Sequence, residues 1–373
     1  MPWKETTPMS QRKAFIKAAI QPDCNMTQLC LAYEISRKTG YKWLGRYRQD
    51  GEAGLRDRSR RPKHSPEQTP PEVEAEVLAL RRKHPAWGGR KLHVRLKALG
   101  HAHVPSPSTI TRILQRHGCI DPAESEKRQH PQRFEKEHPN QMWQMDFKGP
   151  FEIGMQSCHP LTILDDHSRY LLGLFGCKNQ RRGTVKAHLT STFQAYGLPE
   201  CMLVDNGPPW GWTDGRYYTK LAAWLIRLGI TVSHSSPYHP QTLGKDERLH
   251  RSLKAEILKT QSFADFEGCQ SAFDTWREVY NQQRPHEALE METPSTRYQP
   301  SVRPFPESLP PIEYADCIAV RKVCSRGTIS FQGQRYKIGK AFSGYPVGLY
   351  PALADRELEV HFCHQQVKLI PLK

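Results

Sequence analysis

The sequence contains no Cys-x-x-Cys pair and no matching His-x-x-x-His, although ten cysteines are scattered along its 373 residues. Structural zinc is therefore not expected, and the thiols read as reduced, buried groups of a cytoplasmic protein. The opening stretch, MPWKETTPMSQRKAF, lacks the apolar core of a signal peptide. The longest apolar run, Leu221 to Ile226, ends at Arg227, far short of a membrane span. An acidic tail, a low-complexity tract and a repeat of fixed period are also missing. Acidic side chains are scarce relative to basic ones, 38 Asp+Glu against 54 Lys+Arg, a net charge of +16.

That charge is uneven. Residues 1–137 carry 27 basic and 15 acidic side chains, 27 − 15 = +12, and the remaining 236 residues carry only +4. A chain this long, 37% hydrophobic, can build more than one core. A basic N-terminal portion points to a polyanionic partner, nucleic acid first. Patterning divides the chain into a helical part (1–66), a second helical part (67–120), a charged linker (121–138), a part alternating strand and helix (139–300), and, past a Pro-rich bridge, short strands with Gly turns (310–373). The expected architecture is multidomain.

In the first part Thr27 precedes a short helix and Ser36 can cap a second, RKTGYKWLGRYRQD. Trp43, Leu44 and Tyr47 share one stripe of it, and Arg37, Lys38 and Lys42 lie away from that stripe. A short helix, a tight turn and a basic second helix is the helix-turn-helix arrangement, with the second helix meant for the major groove. The tract RDRSRRPK, with Arg58, Arg60 and Arg61, suits either phosphate contact or a plain charged linker. The second part repeats the logic. Its third helix begins near Ser108, with Thr109, Arg112 and Arg116 on one side and Ile110, Ile113 and Leu114 suited to a core.

The segment MWQMDFKG alternates as a strand does, with Met142, Gln144 and Asp146 on one side and Trp143, Met145 and Phe147 on the other. Two further strands, Leu161 to Leu164 and Tyr170 to Cys177, and a helix over Arg182 to Tyr196 follow. A short strand then ends in Asp205 before an Asn-Gly turn. After a helix and another strand, a Pro-rich loop becomes a helix near Gly244. On it Glu247, Arg251 and Lys254 line one side, and Leu249, Leu253 and Ile257 the other. Three acids in a basic protein repel one another unless cations lie between them. Carboxylates that hold two divalent ions about 4 Å apart can activate an attacking oxygen and neutralise a leaving one in phosphodiester cleavage.

Asp146 in WQMDF, Asp205 in VDNGPPW and Glu247 in PYHPQTLGKDERLH resemble the Asp, Asp, Glu triad of bacterial insertion-sequence DDE transposases with a retroviral-integrase-type core. Lys254, seven residues after Glu247, DDHSRY at 165–170, YNQQRPHEALEMETP at 280–294 and the N-terminal SRKTGYKWLGRY and GLRDRSRRP extend the likeness to nearly the whole chain. The spacings, 58 residues between the aspartates and 41 between Asp205 and Glu247, fit loosely. The resemblance implies an RNase H-like α/β core with a mixed five-stranded sheet, two helix-turn-helix domains and a small C-terminal all-β barrel. It implies Mg2+, two ions per site with Mn2+ able to replace it, held by Asp146, Asp205 and Glu247. The implied reaction is hydrolysis at a transposon end and then attack of the freed 3′-OH on target DNA. The implied partners are double-stranded DNA, as ends and as target, and further copies of the chain, in a bacterial, nucleoid-associated setting. The other readings are a sequence-specific DNA-binding regulator, an inactive domesticated relative, or a nuclease for RNA·DNA hybrids.

Neighbouring residues take lesser roles. Asp246 points about 100° from Glu247 on the helix, and Asp165 and Asp166 read as turn caps. Asn206 shapes the turn after Asp205. His239 and Gln241 suit either DNA contact or loop structure, and Trp210 and Trp212 either base stacking or loop packing. Tyr280, Arg284 and His286 read as bracing the catalytic helix. The C-terminal strands, with Arg321, Lys322, Arg335 and Lys337, suit either DNA binding and assembly or plain stabilisation.

Overall fold

A computed structural model describes residues 7–59, 69–121, 135–211, 218–234, 244–352 and 356–372. The chain divides into two units, Met1–Gln68 and Thr69–Lys373. Most of the linker assigned to 121–138 lies outside the described residues.

In the first unit α1 (Pro8–Ala19) is capped by Thr7, whose hydroxyl accepts the Ser10 N–H at 3.1 Å. Asn25, not Thr27, caps α2 (Met26–Ala32), its side-chain oxygen accepting from the N–H groups of Thr27 and Gln28. Ser36 caps α3 (Arg37–Asp50) as expected. Phe15, Ile16, Cys30, Trp43, Leu44 and Leu55 form the core. A Cβ on Gly40 would fall 2.6 Å from the Cys30 sulfur, so a hydrogen there lets α3 cross α2 closely. Leu55 is fully buried in a short 3-10 turn, Gly51–Leu55, so the basic stretch after α3 begins as part of this core rather than as linker.

In the second unit α4 (Pro71–Lys83), α5 (Gly89–Ala98) and α6 (Pro107–Arg116) close on Val77, Trp87, Leu92, Leu96, Ile110, Ile113 and Leu114. Ser106 caps α6, which therefore starts just before the expected Ser108. Next come β1 (Met142–Phe147), β2 (Phe151–Ile153), β3 (Gln156–Asp165), β4 (Leu171–Cys177), α7 (Arg182–Tyr196), β5 (Cys201–Val204), α8 (Lys220–Arg227) and β6 (Thr231–His234). The segment ends in α9 (Gly244–Leu253), a π-helical turn (Lys254–Leu258) and α10 (Phe266–Gln282).

The sheet is mixed, in the order β3-β1-β5-β6, with β4 and the short β2 both paired to β3. Strands β1, β5 and β6 run parallel, and β3 is antiparallel to β1, β2 and β4. The hairpin of β2 with the first part of β3 adds a sixth strand to the five expected, and β3 begins at Gln156 rather than Leu161. Its Pro160 masked that start, because proline usually argues against a strand. Helices cover both faces of the sheet, which is why the central strands are mostly apolar, Gln144 and Asp146 of β1 excepted. Val185, Leu189 and Phe193 of α7 and Leu225 and Ile226 of α8 pack with Trp143, Met145 and Met202. On the other face Leu249, Leu253, Phe273 and Trp276 pack with Leu164, Leu171 and Leu174.

The C-terminal strands are antiparallel. β7 (Ala319–Lys322), β10 (Pro346–Pro351), β11 (Glu357–Phe362) and β12 (Gln365–Pro371) form one sheet, and β8 (Thr328–Phe331) pairs with β9 (Gln334–Lys337). The Gln365 amide donates to the Val232 carbonyl at 2.9 Å and accepts the Val232 N–H at 2.9 Å. One side chain thereby satisfies backbone groups on the edge strand β6, which would otherwise be open to pairing. All ten cysteines are free, but Cys317 and Cys324 are exposed, against the expectation of buried thiols. Among the described residues no helix is long and apolar enough to cross a membrane.

Candidate active site

Three elements converge on the carboxyl ends of β1 and β5. Their parallel register pairs Met145 with Val204, so Asp146 is the next residue on β1 and Asp205 the first residue past the end of β5. Adjacent strands lie about 4.8 Å apart, and residues in register point to the same face. The parallel pairing thus brings the two residues to neighbouring positions at one end of the sheet. Helix α9 packs on the same edge. Its His250 lies 3.0 Å, through Nε2, from the Thr162 hydroxyl, which donates to the Asp146 carbonyl at 3.1 Å. His250 Nδ1 is 4.0 Å from Asp146 Oδ2. Burial, then the charge of Lys148, lowers the pKa of His250 to about 4, so the ring is neutral at pH 7.

The electrostatics of Asp146 register all three acids. Burial pushes its pKa up to about 6, the Phe147 N–H bonded to Oδ1 at 2.8 Å opposes that rise, and the charges of Asp205 and Glu247 add to it. Asp205 and Glu247 are exposed. Asp205 Oδ1 accepts the Asn206 N–H at 2.6 Å, and a Cβ on Gly207 would lie 3.5 Å from Oδ2. Among the described residues, however, no group of three His, Cys, Asp or Glu side chains is gathered closely enough to hold a metal ion. Segments 212–217 and 235–243, with His239, Gln241 and Trp212, lie outside the described residues. The donor set is all carboxylate oxygen, the hard kind that suits Mg2+ rather than zinc or copper. In chemistry the residues fit a divalent cation.

Around the acids, Arg251 and Lys254 are exposed on the side of Glu247, while Leu249, Leu253 and Ile257 are buried opposite. Lys148 lies close enough to Lys254 that burial and the neighbouring charge lower its pKa. Trp210 is buried and stacks on Phe147 with centroids 5.9 Å apart, so it packs the loop and offers no face to a base. Arg37, Lys38, Lys42 and Arg112 are exposed, but the Lys42 ammonium lies 4.5 Å from the centre of the Trp43 ring, nearer the apolar stripe than its spacing suggested. Arg116 is ion-paired with Glu74, and Arg58 with Asp50 at 2.6 Å. Arg60 and Arg61 lie outside the described residues.

The motif at 280–294 meets the end of α9 and the π-helical turn after it. Arg284 donates from Nε to Glu256 at 3.2 Å and from a terminal nitrogen to the Ser252 hydroxyl at 2.8 Å. Trp276 Nε1 donates to the other Glu256 oxygen at 2.8 Å. Tyr280 lies under Arg284 and meets His286 edge-on at 4.7 Å. Glu256 escaped the sequence reading. An acid three residues after Leu253, beside an apolar stripe, was the signal that could have found it.

Asp165 caps its turn, accepting from the Asn140 N–H at 2.7 Å, the Ser168 N–H at 2.8 Å and the Ser168 hydroxyl at 2.6 Å. Asp166 does not cap; it bonds outward to other segments. Asp246 is fully buried with neither carboxylate oxygen hydrogen-bonded among the described residues, and burial, with the charges of Asp146 and Asp166, holds its pKa well above the usual range.

Known families match this layout segment by segment. An integrase core domain matches residues 136–240 and a second integrase core domain 228–294. A helix-turn-helix domain matches 11–63, a homeodomain-like domain 39–114, and the C-terminal domain of IS481 family transposases 318–373. The insertion element IS407 uncharacterized 31.7 kDa protein of Burkholderia multivorans is 24% identical over 237 residues, 60% of this chain and 82% of that protein. The Gag-Pro-Pol polyprotein of Mason-Pfizer monkey virus is 33% identical over 121 residues, 32% of this chain but only 6% of the polyprotein. Among solved structures, a simian T-cell lymphotropic virus intasome in complex with a PP2A regulatory subunit aligns at 15% identity and a TM-score of 0.39, covering 79% of this chain and 95% of that one. The HTLV-2 integrase catalytic core domain in complex with magnesium aligns at 14% identity and a TM-score of 0.34, covering 44% of this chain and 99% of that one. Helix-turn-helix, integrase-core and IS481-type C-terminal domain models thus all match this one polypeptide, and in that combination the chain is similar to insertion-sequence transposases built on an integrase-type core.

Proposed function

We propose that the chain binds the ends of an insertion sequence through its helix-turn-helix segments and cleaves and rejoins DNA at a divalent-cation site made by Asp146, Asp205 and Glu247. The observation that supports this reading is the register of β1 and β5, which brings Asp146 and Asp205 to neighbouring positions at one end of the sheet. Bound Mg2+, two ions per site with Mn2+ able to replace it, would supply Lewis-acid stabilisation of the attacking and leaving oxygens. Asp146 and Asp205 would be the primary or bridging ligands and Glu247 the ligand to the second ion. Arg251 and Lys254, exposed beside Glu247, would hold the backbone phosphates across the site.

Water attacks the phosphodiester at the element's end and leaves a 3′-OH, which then attacks a target phosphodiester and displaces its 3′ oxygen. No side chain becomes covalently attached. Arg37, Lys38, Lys42 and Arg112 would contact DNA directly, while Arg58 and Arg116 would exchange their carboxylate partners for phosphate. Residues 1–66 and 67–120 would serve recognition, 139–300 chemistry, and 310–373 either DNA binding and assembly or plain stabilisation. Two ends brought together require at least two copies of the chain on DNA.

The test is a cleavage and strand-transfer assay on DNA carrying the element's ends, with and without Mg2+. Joined products that require the cation support the reading. Tight end binding with no cut strand would make the chain a regulator or inert relative, and preferential cutting of RNA·DNA hybrids would make it a nuclease. Deletion of residues 1–68, a unit with its own core, should remove selectivity for the ends. The expected loss is about a thousandfold in the ratio of end to nonspecific affinity, measured by competition binding. Cation-dependent nicking of nonspecific DNA should survive it. Selectivity retained by the shortened chain would move recognition to α4–α6 or the C-terminal strands.

A further inference from the structure

Asp166 is fully buried, and its carboxylate receives donors from three separate segments. The Gln144 amide donates to Oδ1 at 2.7 Å, the Lys136 backbone N–H donates to Oδ2 at 2.8 Å, and the Lys245 ammonium forms an ion pair with Oδ1. Lys245 also donates to the Asp166 carbonyl at 3.1 Å. Gln144 stands two residues before Asp146 on β1, on the same side of the strand, and Lys245 stands two residues before Glu247 on α9. One buried carboxylate therefore joins, at equal offsets, the strand that carries Asp146 and the helix that carries Glu247.

Stability alone is a poor reason for such a group. A buried ion pair loses hydration that its own attraction barely offsets, and its best attested use is to fix a register. Apart from His250, whose Nε2 lies 3.0 Å from the Thr162 hydroxyl near the far end of the helix, the other contacts of α9 with the sheet are apolar, through Leu249 and Leu253. Apolar contact is non-directional and sets no unique axial position for a helix. Hydrogen bonds narrow in distance and angle do.

We propose that Gln144, Asp166 and Lys245 form a clamp that fixes the separation of Asp146 from Glu247 and so preorganises them for a divalent cation. The clamp rests on the reading of those two acids as ligands. Its members are positioning residues and do not touch the ion. Removing a group that orients metal ligands costs about tenfold to a hundredfold in metal affinity.

The experiment measures Mn2+ binding to the full chain without DNA, alongside the melting temperature and the dissociation constant for end DNA. Lys245→Met and Asp166→Asn should each weaken Mn2+ binding about tenfold or more, with end binding unchanged, and Lys245→Arg should restore near-native affinity. Native Mn2+ affinity in a folded Lys245→Met protein overturns the clamp, as does a Lys245→Arg protein as weak as Lys245→Met. Should Asp166→Asn fail to fold, Lys245, at the rim of the buried cluster, decides alone. Asp146→Asn separates the two claims. If it binds Mn2+ as the native chain does, the ligand assignment falls and the clamp with it. If it loses Mn2+ while Lys245→Met keeps it, only the clamp falls.

Discussion

Asp146→Asn should lower strand cleavage by about a thousandfold or more, about 4 kcal/mol of transition-state stabilisation, while end DNA binds as tightly as before. The substitution is nearly isosteric and leaves an amide oxygen to accept the Phe147 N–H now bound at 2.8 Å. What it removes is the negative charge on the strand flanked by Asp205 and Glu247. The expected DNA contacts lie mainly on α3 and α6, well away in sequence, so end affinity has no cause to fall. Cleavage rates under single-turnover conditions and a gel-shift titration read the two effects separately. Equal losses in both would make Asp146 a structural acid. Undiminished cleavage would remove the proposed site altogether.

Asp146 could be read in the sequence because strand alternation and an acid among apolar residues are local signals. The faces of α9 were legible for the same reason, since a period of 3.6 residues separates Glu247, Arg251 and Lys254 from Leu249, Leu253 and Ile257. Local signals do not reveal which partner a side chain finds across the fold. Asp165 and Asp166 look alike as turn residues, yet one closes its own turn and the other reaches β1 and α9. Asp246, passed over as pointing away from the site, points into the protein instead of to solvent, because the face of α9 at right angles to Glu247 is buried. The short β2 was hidden for a different reason. Its three residues carry too little pattern to register, and only pairing with β3 defines them.

Glu256→Ala should destabilise the second unit by about 3–5 kcal/mol, one of the largest losses available to a single substitution outside the apolar core. Glu256 and Arg284 are each 8% exposed, and the carboxylate also satisfies Trp276 Nε1. Truncation leaves a buried guanidinium with Ser252 as its remaining partner in this network and leaves an indole N–H with none. Neither group can recover water at that depth. The charge imbalance falls at the end of the helix that carries Glu247, in the π turn that swings Glu256 inward. The sign differs for paired removal. Glu256→Met combined with Arg284→Met takes away both charges at similar volume and should recover most of the lost stability, as a thermal melt of the two proteins would read. If the double variant melts no higher than Glu256→Ala, geometry rather than charge balance holds this junction. Cleavage by the double variant then tells bracing from mere packing: a well-folded protein with slow chemistry means that the ion pair sets the position of the helix that carries Glu247, and native rates mean that apolar packing suffices.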